Sequence, residues 1–206
     1  MNTTHESRTA ERTDFSDFIR DLHLPRYAEL PDIDLYMDQV LTYIDDRVRP
    51  LVPAGEKPLT SSMVNNYVKQ RLVPTPSHKR YTRDHLALLV FVCLMKRVVS
   101  IADIKRLLAV QTATHSVGRA YDFFCTAVEE SLRALFCGTT RASRIGEWAI
   151  DEPRGFAFSL SVARSDALTP ERRLVVSAAT AIANKIYVEK CLEIGLLEAS
   201  SHESGE

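Results

Sequence analysis

A run of hydrogen-bonding side chains along one predicted helix is the chemically most informative feature of this sequence. Thr60 or Ser61 is expected to cap a helix that continues to about Leu72. Its apolar positions are Met63, Val64, Tyr67, Val68 and Leu72, and its polar positions are Ser61, Ser62, Asn65, Asn66 and Lys69. Residues four apart share a helix face, an asparagine amide can address an adenine edge, and a lysine can address a guanine edge or a phosphate. The pattern predicts contacts to the edges of base pairs, with phosphate favoured at the helix start.

A short basic loop follows this helix. Pro74 and Pro76 are expected to stop the helix, and Thr82 to cap the next one. The loop and the following helix start supply four further candidate phosphate contacts, His78, Lys79, Arg80 and Arg83. A loop of this kind, with its cations at the tip, predicts a wing that lies along the sugar-phosphate backbone of DNA.

The charge of the chain is distributed unevenly. Residues 1–56 have a balance of −6, residues 57–109 of +8 and residues 110–206 of −3, although the formal net charge is only −1. Residues 57–83 contain no carboxylate. A local positive field suits a polyanion, because bound phosphates release their counterions. The alternative is an ordinary solvated surface that happens to be basic.

Helices are expected to position these side chains. Asp14 begins a short helix that Pro25 ends, and a second helix is expected to open at Pro31 and Asp32. A fourth helix over 83–98 is apolar nearly all round and is therefore expected to be buried, and Ser100 caps a fifth. The elements follow one another in the order of a winged helix-turn-helix: a helix, a turn, a polar-faced helix, a basic loop and a buried helix. The predicted fold class is therefore mainly all-α, with a winged helix-turn-helix. We assign residues 13–110 to this part of the chain, after a disordered tail over 1–12.

The rest of the chain is predicted to be mostly helical. Residues 117–136 form an amphipathic pattern, 139–168 alternate like a strand around Phe156 and Phe158 without a partner strand, and Thr169-Pro170 begins a long helix to about 194. The apolar and small residues of that last helix predict a homodimer contact, or else packing against 117–137. We assign 111–199 to a dimerisation or effector region, with core or pocket-wall roles for Trp148, and 200–206 to a disordered tail.

Several classes of protein are disfavoured by composition. No apolar run approaches the roughly 18 residues of a membrane span, no secretory signal is visible, and the four cysteines lie far apart without a CxxC pair. We therefore expect a cytoplasmic protein that does not act at a membrane, with reduced thiols. His78 and His85 lack a companion ligand motif, so His78 is interpreted as a wing donor to phosphate and His85 as a helix-start residue. The adjacent pairs Glu129-Glu130 and Asp151-Glu152 are interpreted as surface charge. No catalytic constellation, metal site or cofactor is predicted, so the chain is not expected to be an enzyme.

Parts of the sequence resemble two bacterial protein families. Residues 67–76 resemble the recognition-helix exit of the MerR family of transcription regulators, residues 81–86 its post-wing segment and residues 97–108 its next turn and helix. The run from 35–40 through 59–69 to Tyr81 is similar to a family known as domain of unknown function 1836, which is treated as MerR-like. The resemblance implies a transcription regulator that binds double-stranded DNA, as a homodimer, with room for an unidentified small-molecule effector.

The sequence departs from the MerR pattern inside the recognition helix. The usual Arg-Tyr-Tyr is Asn65-Asn66-Tyr67, and the usual glycine before the leucine is Arg71. The fold can be kept while the phosphate contacts change. Two alternatives therefore stay open: an interaction module that uses the winged helix to bind protein, and a helical module that holds a small apolar molecule.

Overall fold

The computed structural model describes residues 14–137 and 168–194. These residues form seven α-helices: α1 over 14–21, α2 Met37–Val48, α3 Ser61–Lys69, α4 Arg83–Met95, α5 Ile101–Thr114, α6 Val117–Phe136 and α7 Pro170–Glu193. The mainly helical prediction is confirmed. In the part of the chain that the structure describes, no helix combines the length and the apolar character that a membrane crossing requires. The predictions for 1–12, 139–167 (with Trp148, Asp151, Glu152, Phe156 and Phe158) and 200–206 lie outside the described residues.

Helix α4 occupies the centre of the molecule. Every residue from His85 to Met95 is buried, as the absence of a polar face predicts. Helix α6 packs on it, with the rings of Phe91 and Phe124 meeting edge to face at 4.7 Å between centroids. Helix α7 packs along α6 and reaches α4. One continuous apolar core thus joins the N-terminal helices to the last helix.

The second predicted helix begins later than the sequence indicates. Residues 31–36 are not helical, and α2 starts at Met37 instead of Pro31 or Asp32. The backbone of Leu35 is paired with that of Tyr81, N–H to O at 2.9 Å in one direction and 2.8 Å in the other. This long-range backbone bridge prevents the helix from starting at Pro31 or Asp32, because it holds Leu35 extended. The Leu35 side chain is buried.

Helix α3 ends at Lys69 in a well-formed C-terminal cap. Arg71 has φ of 59°, the Leu72 amide donates to Tyr67 O at 2.9 Å, and the Arg71 amide donates to Val68 O at 3.0 Å. This is the Schellman arrangement, in which the left-handed residue is usually glycine. The helix therefore stops before the predicted end at Leu72, whose side chain is buried beyond the cap.

The prediction that Glu129 is surface charge is wrong. Glu129 is only 2% exposed, and it accepts hydrogen bonds from the Leu24 amide at 2.7 Å and from both terminal nitrogens of Arg26 at 2.8 and 2.7 Å. Burial alone would raise the pKa of Glu129, but the Arg26 and Leu24 hydrogen bonds outweigh it and lower that pKa below its ordinary value. Its neighbour Glu130 is exposed, as predicted.

Residues 22–30, which we call the strap, connect α6 to the start of α4. Besides the bonds to Glu129, the Tyr27 amide donates to Asp122 on α6 at 2.6 Å, and the Tyr27 hydroxyl donates to Asp84 on α4 at 2.6 Å. The Tyr27 ring also lies against Gly118, where a β-carbon would come within 2.9 Å of it. The strap thus fixes α6 relative to the start of α4.

Helix α7 uses only one face for this core. Its buried residues include Val175, Ala179, Ile182 and Ile186, which is the intrachain packing against α6 that the sequence left as an alternative. Leu174, Val188 and Leu192 remain 57%, 55% and 55% exposed.

Candidate nucleic-acid interface

Helix α3 presents the polar residues on its outer face. The Thr60 hydroxyl accepts from the Met63 amide at 3.3 Å, so Thr60 is the N-cap, and Val64 and Tyr67 point into the core. The five candidate contacts on this helix are all exposed: Ser61, Ser62, Asn65, Asn66 and Lys69. The Asn66 amide oxygen accepts from Gln70 at 3.1 Å. The side chain of Asn65 has no hydrogen-bond partner among the described residues, which leaves its amide available to a ligand.

The basic loop forms a tight two-residue turn. Ser77 and Arg80 form an antiparallel bridge with an N–H to O distance of 2.9 Å, and the two residues between them, His78 and Lys79, have φ of 49° and 60°. Two consecutive left-handed residues define the type I′ hairpin turn. We call residues 77–80 the wing. The turn places His78 and Lys79 at its tip, both exposed.

The base of the wing is held by the extended residues before α2. Beyond the Leu35–Tyr81 pair, the Arg80 guanidinium lies 4.5 Å from the centre of the Tyr36 ring and donates to the Tyr36 hydroxyl at 2.8 Å. It also approaches Asp34 O at 3.5 Å. Arg80 therefore positions the wing, and of the two predicted wing cations it is Lys79 that extends from the tip.

The wing and helix α3 face one groove. Asn65 and Val68 of α3 line it from one side, Lys79 and Pro76 from another, and Tyr36 to Asp38 from the start of α2. Its volume is about 520 Å³. The structure thus brings Asn65 and Lys79 onto the same side of the molecule.

The other candidate contacts do not line this groove. Arg83 is half-buried, with its Nε directed to Pro31 O at 3.4 Å and its guanidinium 5.6 Å from the centre of the Tyr27 ring. Ser61 lies at a second groove, beside Lys57 and Asp45. His78 contacts its neighbour, with Nδ1 3.0 Å from the Ser77 hydroxyl.

Folding brings carboxylates to the basic segment. Asp38 lines the groove of Asn65 and Lys79, and Asp45 and Asp46 line the groove of Ser61. The sequence places these carboxylates in the acidic block before residue 57, so the charge of the assembled face is mixed where the sequence alone predicts a positive strip.

His85 is the helix-start residue that the sequence predicts, and the structure adds a positioning role that the sequence does not show. It lies buried in the first turn of α4, where its Nδ1 accepts from the Thr82 amide at 3.0 Å and its ring meets the Tyr81 ring at 5.5 Å. Burial lowers the pKa of His85, which favours the neutral ring that can accept this bond. His85 therefore fixes the segment that leaves the wing. The signal in the sequence for this helix start is a histidine three residues after the threonine that caps α4.

The surroundings of the metal-ligating residue types and of two cysteines bear on possible chemistry in the described part of the chain. No group of three or more histidine, cysteine, aspartate or glutamate residues there could hold a metal ion. Cys93 and Cys125 are buried, and burial raises their pKa to about 11 and about 12. These thiols stay protonated at neutral pH and are poor nucleophiles.

The residues that line the groove lie inside a segment that matches a sequence-family model. Residues 25–124 match the family model described as Domain of unknown function (DUF1836). The match begins inside the strap and includes the groove, α4 and α5, and it covers just under half of the chain. It confirms the similarity carried by residues 35–81. No curated protein and no solved structure significantly matches the sequence.

Proposed function

We propose that the protein is a DNA-binding transcription regulator of the winged helix-turn-helix type. The observation that carries the proposal is the shared groove, in which the outer face of α3 and the tip of the wing lie on one side of the molecule. In this arrangement α3 enters the major groove, Asn65 addresses a base edge, and Lys79 contacts phosphate beside it. Helix α3 has nine residues, about 13 Å at 1.5 Å per residue, which suits a major groove about 12 Å wide.

The topology supports this assignment. Helices α2 and α3 are followed by a hairpin turn whose base pairs with the residues just before α2. The wing is thereby fixed relative to the helix pair, and a fixed spacing between base and phosphate contacts is what register on a duplex requires. The connection between α2 and α3, residues 49–60, is longer than a usual helix-turn-helix turn.

The charge of the face sets the expected strength of binding. Lys69 and Lys79 are exposed cations on α3 and the wing, whereas Asp38 opposes phosphate from inside the groove. A protein that neutralises few phosphates has a shallow dependence of affinity on salt, about 0.9 in log–log slope for each phosphate. We infer that two copies act together, which doubles the contacts, and that the exposed residues of α7 supply the dimer surface.

The proposal is tested by fluorescence anisotropy of labelled duplex DNA, using random sequence and the promoter of the chain's own gene, at about 50 and 200 mM salt. Binding should weaken as salt rises. The variant Asp38→Asn should bind both duplexes more tightly because it removes a carboxylate from the groove, while Glu130→Gln on α6 should not. The absence of binding to either duplex at the lower salt would contradict the proposal.

Protein binding through the same face is a second candidate, favoured by one specific observation. Ile33 and Tyr36, just before α2, are 67% and 47% exposed, and Tyr36 lines the groove. Apolar side chains exposed beside a mixed-charge groove are typical of a protein interface. In that case affinity for the partner would depend little on salt, and Tyr36→Ala would weaken partner binding more than Lys79→Gln.

A further inference from the structure

A third groove lies at the α3 exit; it shares Val68 with the groove of Asn65 and Lys79 but is lined by neither of those two residues. It runs between residues 71–75, which follow α3, and helix α5, with a volume of about 500 Å³. That volume falls in the range of small-molecule sites. Its walls are largely apolar and include Val68, Leu72, Val73, Leu88, Leu108 and Ala109.

Two cationic side chains line this groove, and no carboxylate lines it with them. Arg71 enters from the end of α3 and Lys105 from α5, both exposed, and the lining contains no carboxylate. Neither side chain has an ion pair or hydrogen bond within the described residues. The neighbouring Arg106 differs, because it pairs with Asp103 at 3.5 Å and does not line the groove.

The apolar wall continues toward the core. Leu88, Leu108 and Thr112 also line a small cavity among α4, α5, α6 and α7, which is closed further in by Phe91 and Tyr121. This cavity holds about 20 Å³, room for about one water or a terminal methyl group. The groove therefore has a charged mouth and an apolar inner end.

We propose that this groove binds a small amphiphilic carboxylate, with the carboxylate at Arg71 and Lys105 and the hydrocarbon chain along Leu88 and Leu108. Charge complementarity selects the anionic head group, since guanidinium and ammonium donors form their strongest hydrogen bonds with carboxylate oxygens. The apolar lining accommodates a hydrocarbon body. Because Val68 and Arg71 belong to α3 and its cap, such a ligand would touch the end of the helix assigned to DNA.

The test is calorimetric titration of the full chain, without DNA, so that its outcome is independent of the proposed DNA binding. The probes are octanoate, octan-1-ol and acetate. Octanoate should bind saturably, octan-1-ol at least about tenfold more weakly because it lacks the charge, and acetate not measurably because it lacks the chain. The double variant Arg71→Gln/Lys105→Gln should bind octanoate as weakly as it binds octan-1-ol.

The matched control is Arg106→Gln, which removes a neighbouring cation of α5 that does not line the groove. It should bind octanoate like the parent. All substituted residues are exposed, so the variants are expected to fold, and thermal melts verify this. Three results would overturn the proposal. The parent chain would bind octanoate and octan-1-ol with equal affinity, or the double variant would bind octanoate as tightly as the parent does. The third is that octanoate gives no saturable heat with the parent up to about 5 mM, the weak end for a ten-atom ligand.

Discussion

The backbones of Leu35 and Tyr81 are joined by two hydrogen bonds, of 2.9 and 2.8 Å, from opposite ends of the module that contains α2, α3 and the wing. This pair closes the module, because it connects the extended segment before α2 to the residue after the wing. Both side chains are buried. The position of Lys79 relative to α3 therefore depends on a contact between distant residues and is not set by the loop alone.

Arg71 stores conformational strain at the end of α3. Its φ of 59° is a conformation that costs an L-residue about 1–2 kcal/mol and costs glycine little. The variant Arg71→Gly should be more stable than Arg71→Ala by about 0.5–1 kcal/mol, since both lose the charge and only alanine keeps the β-carbon. Thermal melts of the two variants measure this, and an equal or lower melting temperature for the glycine variant would show that the cap is not strained.

Glu129 should be far more important for stability than its neighbour. Glu129→Gln weakens a buried acceptor of three hydrogen bonds and should cost about 1–3 kcal/mol of unfolding free energy at pH 7. Glu130→Gln, at an exposed site on the same helix, should stay within about 0.5 kcal/mol. Urea unfolding of both variants measures the difference. Similar losses for the two would contradict the assigned role of the strap.

The contribution of Glu129 should depend on pH in a defined direction. Its pKa is lowered in the folded chain, so the unfolded chain takes up the proton first as the pH falls. The stabilisation is present above the ordinary glutamate pKa of about 4.3 and is lost as the pH falls through the folded pKa. The stability gap between the parent and Glu129→Gln should therefore narrow in urea titrations below about pH 4. A gap that widens there would reverse the assignment.

Most helices were predictable because local signals agree with packing. The hydroxyls at the starts of α5 and α7 accept from the amide three residues on, Ser100 from Asp103 at 3.2 Å and Thr169 from Arg172 at 3.4 Å. The continuous apolar run in α4 became the centre of the core. In each case, the cap and the pattern of apolar residues are readable without knowledge of distant parts of the chain.

The errors arose where a distant partner decides the structure. Pro31 and Asp32 offered a helix start, but Leu35 pairs with Tyr81, and no local pattern encodes that partner. Glu129 was treated as half of an exposed pair, although it lies on the face of α6 that buries Cys125, Val128 and Leu132. Its place in that stripe was the missed signal. The sequence also did not predict that a carboxylate would line the groove, because Asp38 and Lys79 are far apart in the chain and share the groove only after folding.

The two asparagines of α3 should differ in their effect on sequence preference. Asn65 lines the groove without a side-chain partner among the described residues, whereas Asn66 is bonded to Gln70. Asn65→Ala should relax preference at one or two base positions by about 1–3 kcal/mol, and Asn66→Ala should do so less. Selection of bound sequences from a random duplex pool compares them, with the parent chain as reference. A larger loss of preference for Asn66→Ala would reverse their roles.

The exposed residues of α7 should form the dimer contact. Ala181 and Val188 follow Leu174 by seven and fourteen residues, a spacing that keeps the three side chains on one face of the helix. Light scattering at micromolar concentration should give twice the mass of the 23.2 kDa chain, and Leu174→Glu/Val188→Glu should give the single-chain mass. A parent mass near one chain would contradict the dimer.

The most direct test of DNA binding through the wing is the salt dependence of affinity for Lys79→Gln. Glutamine keeps the β-carbon at the left-handed tip, and the variant leaves Arg80 in place against Tyr36, so it changes charge with little effect on the wing. Anisotropy titrations on random duplex should show weaker binding than the parent at low salt and a slope shallower by about one for each lost phosphate contact. Arg106→Gln, which removes an exposed cation on α5 that does not line the groove of Asn65 and Lys79, should match the parent. If Lys79→Gln binds as tightly as the parent with the same slope, the wing does not contact DNA and a protein-binding role for this face takes precedence.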